Sequence, residues 1–166
     1  AGNILYTVAR ESDLGTNLFT GPYAETRFAR TVESTLNTGQ PLFSDLEYYA
    51  VNDQLASFIT TPLLDEQGYI AGVYAIEVRL EKLFDNITSV NFLNDGSSQV
   101  HYLVGEDGYL RSAIYQKHQD ILRRQIETKP FRYWKQSNLE EPQSSQEINQ
   151  YIGPDGLEKI GLYQTV

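Results

Sequence analysis

Apolar residues are spaced in two distinct ways along this chain, and the spacing predicts its elements. Ala24, Phe28, Val32 and Leu36 recur every four residues, which marks one face of a helix; Gly39 then offers a left-handed cap after Asn37-Thr38. Alternation with a period of two follows and predicts three strands, Leu42 to Tyr49, Ala56 to Leu64 and Ile70 to Val78. Helical spacing returns from Arg79 to Val90, with Leu80, Leu83, Phe84 and Ile87 on one side. A second, shorter amphipathic helix is predicted from Asp120 to Glu127, with Asp120 as its N-cap. The segments Thr16 to Tyr23 and Pro142 to Gln146 are rich in turn residues and read as loops.

Part of this pattern repeats. Asp65-Glu-Gln-Gly68 leads through Tyr69-Ile70-Ala71 to Gly72-Val73-Tyr74, and Asp155-Gly156 leads through Leu157 to Gly161-Leu162-Tyr163. Upstream of these, Gly2-Asn3-Ile4-Leu5-Tyr6-Thr7 parallels Asp107-Gly108-Tyr109-Leu110-Arg111-Ser112, which follows a predicted strand His101 to Val104. Two elements recurring in the same order point to two copies of one module. The order is strand, loop, helix, three antiparallel strands and a linking helix, then a shorter version, which is an α+β arrangement. The expected modules are 1–88 and 89–166, the first lacking its opening strand and the second its last.

Composition narrows the function. The 166 residues carry 22 acidic against 13 basic side chains, a formal charge of −9. Such a chain gains little from counterion release at a phosphate backbone, so no nucleic-acid partner is expected. No apolar run approaches the ~20 residues of a spanning helix, so membrane contact is expected only through flanking helices outside this chain. Cysteine is absent, which removes thiol catalysis, disulfides and thiolate metal sites. Methionine is absent too, and the chain is expected to be an excerpt or a processed form.

Catalytic patterns are lacking. The two histidines, His101 and His118, sit in different predicted elements, and a serine nucleophile would need one of them beside an acid. No Gly-x-Ser-x-Gly elbow, calcium loop or phosphate-cradling glycine loop occurs. Asp45 and Glu47 fall on one face of an alternating strand, where acid/base chemistry competes with the plainer reading of a solvated face. Arg123, Arg124, Lys129, Arg132 and Lys135 interleave with Phe131, Tyr133 and Trp134. They read as helix-surface charge over packed aromatics, or as the edge of a pocket for a small carboxylate. No catalytic residue, metal site or cofactor is expected.

The string Ile4-Leu-Tyr-Thr-Val-Ala-Arg-Glu-Ser-Asp13-Leu-Gly-Thr-Asn-Leu18 with Gly21-Pro-Tyr23 resembles the extracytoplasmic double-Cache sensors of bacterial receptors. Phe43-Ser-Asp45, Tyr49, Phe58-Ile59, Pro62 and Gly72-Val-Tyr-Ala-Ile-Glu77-Val add to the likeness. Tyr102-Leu-Val-Gly-Glu-Asp-Gly-Tyr-Leu-Arg-Ser112 resembles the membrane-proximal half of that family. The resemblance implies two tandem PAS-like modules on the periplasmic side of a bacterial inner-membrane receptor. A histidine kinase is the first expectation for the output, a chemoreceptor or diguanylate cyclase the alternative. It also implies homodimerisation through a long N-terminal helix that this chain lacks. A small ligand of the amine, amino-acid or carboxylate class would sit in the first module. Glu77 falls where the family carries an acid that meets a ligand amine. The amino-acid-binding members of the family also use an Arg followed closely by Trp and Tyr, a set missing from the first module, with Tyr23 and Arg27 as nearest substitutes.

Strand alternation offers a compatible site without the resemblance: Asp45, Tyr49, Phe58, Thr60, Tyr74 and Glu77 are candidates for a shared face. Phe58 and Thr60 are equally readable as core, and Glu77 as a satisfied edge residue. Three functions therefore stand: a ligand sensor, a module of the same fold that only dimerises or docks a protein, and, weakest, a hydrolase.

Overall fold

A computed structural model describes residues 1–79, 91–92, 98–115, 117–137 and 149–161. The chain divides into two compact units, Ala1–Leu83 and Phe84–Val166. Past residue 79 the predicted linking helix lies outside the described residues, as do the boundary at 88, the polar loop at 142–146 and the chain beyond 161.

The first unit is built on a single antiparallel sheet. Its strands are β1 (Leu42–Phe43), β2 (Glu47–Tyr49), β3 (Gln54–Leu64) and β4 (Ile70–Val78). β3 is central: β4 pairs along one edge, and β1 and β2 pair in succession along the other. The β3–β4 turn is closed by Asp65, whose Oδ1 accepts from the Gln67 and Tyr69 N–H groups.

The predicted strand Leu42 to Tyr49 is interrupted. Phe43 pairs with Ile59 and Glu47 with Ala56, so three residues on one strand oppose two on the other, which is a β-bulge. Ser44 makes the interruption tolerable: its N–H donates to Phe58 O at 2.8 Å, and its Oγ accepts from Phe58 N at 2.7 Å. The extra residue reverses the side-chain alternation. Phe43 therefore points to the exposed face, while Glu47 and Tyr49 point inward.

Helix α1 (Arg27–Thr38) covers the inner face. Thr26 caps its start, accepting from Ala29 N at 3.1 Å. Gly39 ends it at φ 66°, a conformation that disfavours any side chain, with its N–H on Thr35 O. Phe28, Ala29, Val32 and Thr35 form the buried stripe. They pack with Leu18, Tyr49, Ala56 and Phe58 as the core, and Val73 and Ala75 of β4 close it from the same side. Ala24 precedes the helix, in a turn.

The opening segment is a closed loop. Its only ladder contact is an isolated Asn3–Asn17 bridge, and Leu5, Tyr6 and Val8 are exposed, so the strand expected to open the first module does not form here. Asn17 ties the loop together, donating to Asn3 Oδ1 and accepting from the Phe19 and Thr20 N–H groups. A side chain at Gly21 would collide with the Asn17 carbonyl, which explains glycine there.

In the second unit the described strands form two small pairs, β5 (Asn91–Phe92) with β6 (Ser98–Gln99) and β7 (Asn149–Ile152) with β8 (Glu158–Gly161). Leu110, Ile114 and Ile126 form its buried cluster. The helix expected from Asp120 to Glu127 is absent; a short 3₁₀ turn, His118–Asp120, stands before it. Residues 124–126 instead run extended against 108–110, with Leu110 N on Arg124 O and Ile126 N on Gly108 O. Leu122 at φ 59° breaks any helical path between them. The predicted strand 101–104 reduces to one bridge, Val104–Leu110. Helix α2 (Lys129–Ser137) holds Lys129, Phe131, Arg132, Tyr133, Trp134 and Lys135 of the basic and aromatic stretch, while Arg123 and Arg124 lie before it.

Candidate functional site

The inner face of the first sheet, together with the loop that closes over it, gathers most of the polar side chains singled out from the sequence. Tyr49 lies at its centre, 2% exposed, with its ring edge-on to Phe28 and Phe58, which stack on each other at 4.1 Å. Tyr23 tilts against Tyr49 at 6.1 Å, and its hydroxyl meets Ser12 Oγ at 2.9 Å.

The Tyr49 hydroxyl donates to Asp13 Oδ2 at 3.0 Å. Burial first, then the adjacent Asp13 carboxylate, pushes this phenol well above its ordinary range, so it remains a donor. Asp13 is itself buried, and its Oδ1 has no hydrogen-bond partner among the described residues. Leaving a carboxylate oxygen enclosed and unpaired is costly.

A second polar group stands where the β2–β3 turn meets β4. Asn52 Nδ2 donates to both oxygens of Glu77, at 3.0 and 2.9 Å, and Arg79 Nε lies 4.0 Å from Glu77 Oε1. Asn52 Oδ1 is enclosed without a partner among the described residues. Among the described residues the first unit therefore holds three buried side-chain oxygens without a partner: Asp13 Oδ1 and Asn52 Oδ1 here, and Ser57 Oγ on the other face of β3.

The remaining sequence candidates separate. Arg27 Nη1 binds Asp45 Oδ2 at 2.7 Å on the surface, at the first turn of α1. Thr60 is fully buried, with its Oγ1 2.6 Å from Thr35 Oγ1, so it ties β3 to α1. Tyr74 pairs with Thr61 and stands exposed on the opposite face from Glu77, so these two candidates do not share a surface. Asp45 and Glu47 do not share one either. Asp45 lies exposed in the bulge, whereas Glu47 is buried beneath α1, which corrects the solvated-face reading. Its two oxygens accept from Arg27 N and Phe28 N, each at 2.8 Å. This carboxylate occupies a helix N-terminus from a neighbouring strand.

Asp13, Glu47 and Asn52 were not among the sequence candidates for this face. Asp13 lies inside the string that carries the family resemblance. Glu47 had an acid's charge at an alternating position, but the bulge that turns it inward leaves no mark in the sequence. Nothing in the sequence marks Asn52.

In the second unit, a groove of about 220 Å³ is lined by Arg124, Gln125, Glu127, Thr128, Ile152 and Pro154, among others. Arg124 is engaged there by Asp120 at 3.4 Å and by the Pro154 carbonyl. In α2, Phe131 stacks on Trp134 at 5.6 Å and Lys129 lies over the Tyr133 ring at 5.4 Å. His101 is exposed. Among the described residues no cluster of three or more His, Asp or Glu side chains could hold a metal, and no helix is long and apolar enough to cross a membrane.

No known protein-family model matches the chain, and no curated protein matches it in sequence. Among solved structures, the extracellular domain of the candidate histidine kinase mmHK1S-Z2 superposes with a TM-score of 0.60 at 17% identity, over 89% of this chain. The two share a fold. The alignment takes in 56% of that extracellular domain, so this chain spans a little over half its length. VqmA bound to DPO aligns with 46% of the chain at 23% identity and a TM-score of 0.29, too low to carry an argument.

Proposed function

We propose that this chain is the extracytoplasmic ligand-sensing domain of a bacterial transmembrane receptor, of the double-Cache type with tandem PAS-like modules, and that the receptor is a histidine kinase. The observation that carries this reading is the fold shared with a kinase extracellular domain over 89% of the chain. The chain does no catalysis itself; it binds a small metabolite on the periplasmic side and passes a conformational change toward the membrane.

The first unit is the binding module in this reading. Asp13 Oδ1 and Asn52 Oδ1 are enclosed acceptors in need of donors, and Glu77 adds a carboxylate. An amine or amino acid supplies N–H donors and positive charge, and the rings of Tyr23 and Tyr49 suit a cation. Ligand drives signalling only by binding one arrangement of the closing loop better than another.

One observation favours a second reading, a module of the same fold that binds no small molecule. Phe28, Tyr49 and Phe58 fill the middle of the inner face with their own rings. A thermal-shift screen of amino acids, amines, carboxylates and purines separates the two, run on the wild type, Glu77→Ala and Asp13→Asn. A ligand at about 100 times its dissociation constant adds roughly 2.7 kcal/mol of stability. A hit lost in either variant supports the sensor and its site. No hit across the library favours the second reading.

A further inference from the structure

Charge in the first unit is placed unevenly, and the imbalance restricts what the inner face can hold. Residues 1–79 carry ten acids and four arginines, with no lysine and no histidine. None of the arginines is buried. Arg10 is exposed in the closing loop, Arg27 binds Asp45 at 2.7 Å, Arg30 reaches Glu25 at 3.5 Å, and Arg79 stands mostly exposed beside Glu77. Three carboxylates lie on the inner side instead. Asp13 and Glu47 are buried there, and Glu77 pairs with Phe58 in the β3–β4 ladder.

A ligand carboxylate is held by a basic side chain or by the unpaired N–H groups that open a helix. The inner side offers no buried base, and the start of α1 is filled from within. Glu47 takes Arg27 N and Phe28 N at 2.8 Å each, and Thr26 takes Ala29 N at 3.1 Å. The oxygens left without partners on this side, Asp13 Oδ1 and Asn52 Oδ1, are acceptors as well. A ligand carboxylate brings them no donor and sets another negative charge among three. An ammonium group brings three N–H donors and the opposite charge.

Resting on the sensor reading above, we infer that this site takes an organic amine that carries no carboxylate, and that Glu47 sets the selectivity. Its side chain holds the one helix start over the inner face, the seat that the carboxylate of an amino acid would need. The amine-or-amino-acid class thereby narrows to decarboxylated amines. An amino acid is excluded although its ammonium group is the same.

Isothermal titration calorimetry with matched pairs tests this: agmatine against arginine, histamine against histidine, and putrescine against ornithine. The two members of each pair differ by one carboxylate. Placing like charges together in a desolvated site costs several kcal/mol, so the amine of the recognised pair should bind roughly 100-fold more tightly than its amino acid. The amino-acid amide, which keeps the bulk of the carboxyl group without its charge, should recover most of that affinity. Glu47→Gln should narrow the gap at least tenfold. Partial unfolding of that variant weakens both members equally, so their ratio still reports. If it does not fold at all, the wild-type pairs and the amide decide. Asp13→Asn and Glu77→Gln should each weaken the amine. An amino acid or a simple dicarboxylate that binds as tightly as the amine overturns the inference and leaves the sensor reading standing. A gap that Glu47→Gln leaves unchanged removes Glu47 from its role. Amine binding indifferent to both Asp13→Asn and Glu77→Gln overturns the inference too, because the site then lies elsewhere. No heat with any amine, amino acid, amide or dicarboxylate defeats the sensor reading itself, and the inference with it.

Discussion

Replacing Glu47 by alanine removes both oxygens that receive the first N–H groups of α1. Each bond is 2.8 Å long, and Phe28, whose N–H makes one of them, is buried. A hydrogen bond to a charged group contributes about 1.5–3 kcal/mol. Two such bonds are partly offset by the carboxylate no longer being desolvated, and Thr26 still holds Ala29 N, so the net loss should be about 2–4 kcal/mol. For a chain of this length that lowers the melting temperature by roughly 6–12 °C. Urea denaturation followed by far-UV circular dichroism measures the loss directly, with Glu33→Ala on the exposed side of α1 as control. Glu47→Gln keeps one acceptor and turns an amide N–H toward the other donor, so most of the loss should persist. A Glu47→Ala protein within about 0.5 kcal/mol of wild type would refute the assigned role, because a change without structural consequence falls in that range.

Other predictions address other links in the first unit and one in the second. Tyr49→Phe strands the buried Asp13 carboxylate and should cost about 2–3 kcal/mol, whereas Asp13→Leu combined with Tyr49→Phe should be less damaging than the sum of the two changes; urea midpoints of all three proteins check this. Gly39→Ala should cost about 1 kcal/mol from its positive φ alone, because the added Cβ meets Ile70 Cδ1 only at an ordinary 3.7 Å. Thr60→Val breaks the hydroxyl pair with Thr35 and should destabilise by about 1 kcal/mol, measured by the same denaturation. In the second unit, burial works to raise the Asp155 carboxyl, but hydrogen bonds from Lys159, Tyr115 and the Leu157 N–H outweigh it and hold the group down to about 2. A depressed folded-state value stabilises above the unfolded value of about 4 and loses that contribution as pH falls toward 2. Acid titration of stability should show a step in that window, which Lys159→Met reduces.

The parts of the fold that were legible in the sequence are those specified by neighbours along the chain. The four-residue spacing through Phe28, Val32 and Leu36, with Gly39 at its end, located α1 because a helix face and its cap are local. The Asp65–Gly68 turn located the β3–β4 hairpin for the same reason. Asp120 to Glu127 looked helical, yet its backbone pairs with residues 108–110, a partner that no local pattern names. For the site, alternation placed Tyr49, Phe58, Thr60 and Glu77 on one face. It failed at Asp45 and Glu47, where the bulge shifts the count, and Tyr74 lies an odd number of residues from Glu77. Asp13 meets Tyr49 across 36 residues and Asn52 meets Glu77 across 25, so their pairing depends on the finished fold.

The bulge at Ser44–Leu46 uncouples the two ends of this segment. Three residues here oppose Ser57 and Phe58, so Phe43 and Glu47 take opposite faces although four positions separate them. Deleting Asp45 would leave two residues opposing two, and a regular ladder would still carry Phe43 outward and Glu47 and Tyr49 inward. Its cost is confined to the surface ion pair with Arg27. Inserting a residue sets four against two and either widens the bulge or turns Glu47 and Tyr49 over, which would take helix start, aromatic core and Asp13 contact together. Natural variants of this protein are accordingly expected to tolerate one residue fewer here and to exclude one more.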